Sequence, residues 1–138
     1  MSRVLLIAAD KPLPLCDRRE ERVKVITLSG GEEMTIEYLQ GFQVDDHVYY
    51  LHATQSLGLP MKFYQYELSL EPCEQDLESL RSYLHKNLSP GDRAELWSLQ
   101  LGDPDPEFLD DTLPLDALDV YQLYRLCFLD GIRVTLII

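Results

Sequence analysis

A strand, a helix and a second strand follow one another between residues 62 and 102, which limits the chain to folds in which a helix crosses a sheet. In KFYQYELSL, Tyr64, Tyr66, Leu68 and Leu70 fall on one face of a pleated strand and Gln65, Glu67 and Ser69 on the other, with Phe63 the exception. Pro72 stands where the first turn of a helix tolerates a missing N–H. Leu77, Leu80, Leu84 and Leu88 then recur at intervals of three and four, the period of an amphipathic helix. Ser89, Pro90, Gly91 and Asp92 stop it, and AELWSLQL places Trp97, Leu99 and Leu101 on one face of a further strand.

The rest of the chain adds to this unit. Residues 3–9 (RVLLIAA) are almost wholly apolar, as expected of a strand covered on both faces near the middle of a sheet, and Asp10 ends the run. Pro12 and Pro14 stiffen the loop that follows. VKVITL and MTIEYL read as two strands paired across Gly30 and Gly31, with Met34, Ile36 and Tyr38 on one side. For residues 42–58 the sequence favours a helix capped by Asp45 or Asp46, with Val48, Leu51 and Leu57 on its apolar stripe and Gly58 and Pro60 as the stop, although Tyr49 and Tyr50 suit a strand equally well. Asp119 and Gln122 have capping-box spacing at the start of a last helix, and IRVTLII closes the chain as a strand too apolar to be left unpaired.

Two strand-helix-strand units predict an α+β fold: a two-layer sandwich with a mixed β-sheet and two or three helices over one face. The outline resembles a ferredoxin-like plan, with the N-terminal strand placed centrally and the hairpin of residues 23–39 attached. An open three-layer parallel sheet is the alternative, disfavoured by the shortage of helices before residue 62. With 138 residues, 46 % of them hydrophobic, one globular domain spanning 1–138 is expected.

Charge narrows the partners. Twelve basic against twenty-four acidic residues give a net charge of −12, so neither nucleic acid nor a membrane is an expected partner. No stretch reaches the ~18 apolar residues that cross a bilayer. The acidic residues of the stretch 103–119 read as a solvated, extended loop. Three cysteines, Cys16, Cys73 and Cys127, form no disulfide framework, and the expected setting is the cytoplasm.

Searches for chemistry return little. Phosphate-binding glycine motifs, closely spaced cysteine pairs and a GxSxG elbow are missing from the sequence, and His47 and His52, five apart, point in different directions on helix or strand. No catalytic residue, metal ligand or cofactor is identified. The remaining candidate is the loop after the first strand, because ligands collect beyond the carboxyl ends of central strands. There Asp10, Cys16, Asp17, Arg18 and Arg19 offer a carboxylate, a thiol beside two cations, and fixed charges. Were the strand ending at Leu101 parallel to the first, Asp103 and Asp105 would join Asp10 in a Mg²⁺-holding cluster.

The expected function is therefore a non-enzymatic protein-binding or regulatory module, either a homodimer paired through an edge strand or a partner of a basic protein. The alternative is a small enzyme or ligand-binding protein with its site at residues 10–19, using a divalent cation.

Overall fold

A computed structural model describes residues 3–102, 109–129 and 131–138. Its strands are β1 (Arg3–Ala9), β2 (Cys16–Asp17), β3 (Glu20–Thr27), β4 (Glu33–Gln40), β5 (Gln43–Asp46), β6 (Tyr64–Ser69), β7 (Arg93–Gln100), β8 (Leu109–Pro114) and β9 (Ile132–Ile137). The helices are α1 (Leu51–Gln55), α2 (Glu74–Asn87) and α3 (Val120–Phe128), with a 3₁₀ turn at Leu115–Ala117. Seven strands form a mixed sheet in the order β2-β5-β6-β1-β7-β9-β8, while among the described residues β3 and β4 pair only with each other. The expected α+β sandwich is the fold, with β1 at its centre and the hairpin as an appendage.

β1 runs antiparallel to both β6 and β7, with Ala9 opposite Tyr64 on one side and Ala94 on the other. β6, α2 and β7 are thus a parallel pair split by β1. In the second unit β8 and β9 lie side by side in parallel, and β9 is held on both edges, as its apolar sequence requires.

On one face of the sheet, Leu77, Leu80 and Leu84 of α2 and Leu123 and Leu126 of α3 meet Ile7, Leu68, Leu96 and Val134 from four different strands. Each leucine buried to that degree contributes about 1.5–3 kcal/mol against leaving it in water. Cys73 is the N-cap of α2, and Asp119 caps α3 by accepting the Gln122 N–H at 2.9 Å. The other face is covered as well. Val4, Leu6, Ala8, Trp97, Leu99 and Leu101 pack beneath Tyr50, Leu57, Leu59 and Met61, so the segment around α1 acts as a lid over the middle of the sheet.

This lid replaces the helix expected over residues 42–58. Asp45 and Asp46 belong to β5, which pairs with β6, and only Leu51–Gln55 is helical. Pairing the free edge of β6 satisfies backbone groups that a helix there would leave open, and Val48 points to solvent, 73 % exposed, instead of into a stripe. The acidic stretch is likewise not all loop. Asp110 and Asp111 lie on β8, paired to Arg133 and Arg125, while residues 103–108 lie outside the described residues.

Candidate functional site

The chain between β1 and β3 crosses the helix-covered face from the centre of the sheet to its edge. Asp10 stays at the β1 end, where its Oδ2 accepts from Lys62 Nζ at 2.6 Å, and Lys11 pairs with Asp92 at the same distance. The proline loop is then tied down twice: the Leu13 N–H donates to the Tyr66 hydroxyl at 2.8 Å, and the Tyr83 hydroxyl donates to the Pro14 carbonyl at 2.6 Å. Burial raises the Tyr83 hydroxyl's pKa, so it remains a donor. Cys16 and Asp17 finally pair as β2 with Val44 and Gln43.

The candidate residues are therefore divided. Through Val44 and Leu68, Cys16 lies in the row of Leu5, three strands across and about five residues down from Asp10, roughly 15 Å in each direction. Asp10 contributes to a small crevice of about 220 Å³ with Lys62, Asp92 and Arg93, where Lys62 pairs with Asp10 and Lys11 with Asp92. Cys16 is partly buried against the core. The parallel setting of β7 against β1 that an Asp10, Asp103 and Asp105 cluster requires is not the one found. The antiparallel register sets Gln100 beside Arg3, at the far end of β1, and residues 103 and 105 themselves lie outside the described residues. Among the described residues no group of three or more His, Cys, Asp or Glu is placed to hold a metal ion.

Asp17, Arg18 and Arg19 lead elsewhere, to the base of the β3-β4 ribbon. Asp17 binds Arg19 with both oxygens, at 3.0 Å to Nε and 2.9 Å to Nη2, and these hydrogen bonds hold its carboxyl down to about 2. Gly41 makes the crossing possible. Its φ is +137°, and a Cβ there would stand 3.2 Å from the Arg19 Cα and 3.3 Å from the Arg18 carbonyl oxygen. The two strands of the ribbon leave the body through this contact.

A crevice of about 500 Å³ opens beside it, between the ribbon base at Tyr38 to Gly41, the end of β6 and the last turn of α3. Two guanidinium groups line it. Arg19 is held by Asp17, and Arg3 donates to Ser98 Oγ and to the Leu126 carbonyl, both at 3.1 Å. Cys127 is at its wall, 3.7 Å from the Leu70 carbonyl, and burial pushes its thiol up to about 11, away from nucleophilic use at neutral pH. A second hollow of about 340 Å³, which contains Arg18, Arg22 and Asp76, also adjoins Gly41 and Pro72.

Beyond the crevice the ribbon is wet on both faces. Val23, Val25 and Leu39 are exposed on one, at 64, 57 and 51 %, and Met34, Ile36 and Tyr38 on the other. α3 adds Tyr121, Tyr124 and Phe128, all at least half exposed, with the last two rings 4.9 Å apart. The sequence carries these aromatics as a stripe at positions 121, 124 and 128, opposite the buried Leu123 and Leu126. Compared with family models, characterised proteins and solved structures, the chain gives no significant match.

Proposed function

We propose that this chain is a non-enzymatic protein-binding module whose contact surface is the β3-β4 ribbon together with the aromatic face of α3. One observation carries the reading: a two-stranded ribbon and its turn present seven large apolar side chains, from Val23 to Leu39 and including Leu28 of the turn, at exposures of 37–64 %. An isolated two-stranded ribbon is marginal in water, and contiguous apolar surface of several hundred Å² on a soluble protein marks a contact site. Shared between the two ribbon faces and α3, ten such side chains expose apolar area on the order of the ~800 Å² per partner of a stable complex. The unpaired thiols of Cys16, Cys73 and Cys127 suit a cytoplasmic setting.

Photo-crosslinking in cells tests this reading. A benzophenone side chain at Tyr38 is expected to give discrete protein adducts, whereas the same group at Glu74 on α2 gives none. Absence of any adduct from position 38 would reject the ribbon as a contact surface.

A second reading, a binding site for a small anion, is favoured by the two arginines that line the 500 Å³ crevice. It predicts a thermal shift with carboxylate or phosphate compounds that Arg3→Met removes. No shift across such a panel, with or without a divalent cation, dismisses it.

A further inference from the structure

Resting on the reading of the ribbon as a contact surface, we infer that its partner is a second copy of this chain, joined by antiparallel pairing of β4 with β4 about a twofold axis at Ile36. The backbone supplies the first half of the argument. β3 and β4 pair so that Ile36 faces Lys24, Tyr38 faces Arg22 and Met34 faces Ile26, and the Leu28 N–H donates to the Glu32 carbonyl at 2.7 Å. In an antiparallel ladder, hydrogen-bonded and non-hydrogen-bonded pairs alternate. Met34, Ile36 and Tyr38 therefore spend their N–H and C=O groups on β3, while Glu33, Thr35, Glu37 and Leu39 aim theirs outward along an edge that carries no ladder among the described residues. Such an edge, eight residues long and without proline, is a template for another strand.

Side-chain register supplies the second half. With Ile36 on the axis, Thr35 meets Glu37 of the second copy, Glu33 meets Leu39, and Met34 meets Tyr38. No like charges face each other, and an apolar row of Met34, Ile36 and Tyr38 continues across the seam. One residue either way the pairing fails: centred on Thr35 it opposes Glu33 and Glu37, and centred on Glu37 it opposes two copies of Glu37. On the outer edge of β3, axes at Arg22, Val23 or Lys24 each set a cation against a cation. Hydrogen bonding agrees with the charge pattern, since an axis at Ile36 makes Thr35 with Glu37 and Glu33 with Leu39 the hydrogen-bonded pairs, the residues with outward backbone groups. Two marginal ribbons become one four-stranded sheet with Ile26, Met34, Ile36 and Tyr38 from each copy on a shared face.

Charge separates this partner from a basic protein. Each copy carries −12, so association works against long-range repulsion, and added salt is expected to tighten the dimer, whereas it would loosen a complex with a cationic partner.

Sedimentation velocity from 1 to 100 µM, at low and high salt, is the primary measurement. The expected result is a dimer that strengthens with salt. Ile36→Glu preserves the ribbon, because the new carboxylate faces Lys24 of its own chain, yet places two carboxylates on the axis and should raise the dissociation constant at least tenfold. Ile36→Cys brings two thiols together at a non-hydrogen-bonded pair, where Cα atoms lie about 4.5 Å apart, and should form a covalent dimer on mild oxidation. Met34→Cys, with its mates about 13 Å apart along the strands, and the unmodified chain should not. A monomer at 100 µM would overturn the second copy as partner; adducts from Tyr38 to a different protein would in that case still uphold the ribbon as a contact surface. A dimer that survives Ile36→Glu, or that Ile36→Cys fails to cross-link, would overturn the pairing at Ile36.

Discussion

Gly41 shows how a single residue sets the direction of a whole appendage. Its positive φ strains any other residue, and a Cβ there would have to push the backbone of Arg18 and Arg19 back by a few tenths of an ångström. Gly41→Ala should therefore cost about 1–3 kcal/mol, read as a lower urea midpoint, or free the ribbon from its base. His47 is a second such residue. Its Nε2 lies 2.7 Å from Thr54 Oγ1 beneath the lid, its Nδ1 has no partner among the described residues, and burial lowers its pKa below the ordinary value of 6.5. With the folded value depressed, the unfolded chain binds the proton more readily. His47 thus contributes stability that is complete above about pH 6.5 and is lost as pH falls toward the folded value. Thermal midpoints taken from pH 7.5 to 5.5 should fall more for the parent chain than for His47→Gln; parallel curves would contradict the assignment.

At the scale of elements, capping and periodicity were readable because they are local. The Asp119 and Gln122 signal produced the observed cap, and Asp119→Ala should destabilise by about 1 kcal/mol in chemical denaturation without altering the sheet. α2 followed its leucines. The segment 42–58 did not follow its pattern, because the open edge of β6 offered β5 a full set of backbone partners, an influence from outside any local window. Asp76 is similar: nothing in its neighbourhood announced a buried carboxylate, which is satisfied by the Glu71 N–H at 2.7 Å.

For the molecule as a whole, the two clusters that hold the sheet contain no residue of β3 or β4. Replacing residues 21–39 by Asn-Gly, a turn suited to joining Glu20 to Gln40, should leave a cooperative thermal transition within a few degrees of the parent while abolishing self-association. A collapse of the transition would show instead that the ribbon supports the core. The same separation explains why Asp10, Cys16, Asp17, Arg18 and Arg19, neighbours in sequence, do not make one site. Two side-chain hydroxyls draw the loop across the sheet, and its ends finish at different places.

Strand and helix periods, the helix cap, the central placement of β1 and the existence of the hairpin came from the sequence alone, since each depends on alternation, spacing or turn residues within a few positions. The antiparallel setting of β1 against β7, the lid over the second face, and the crevice lined by Arg3 and Arg19 were decided only by tertiary structure. Those features join residues far apart along the chain, and the choice among them is made by which arrangement buries the most apolar surface while pairing the most backbone, a sum over the whole molecule that no local stretch contains.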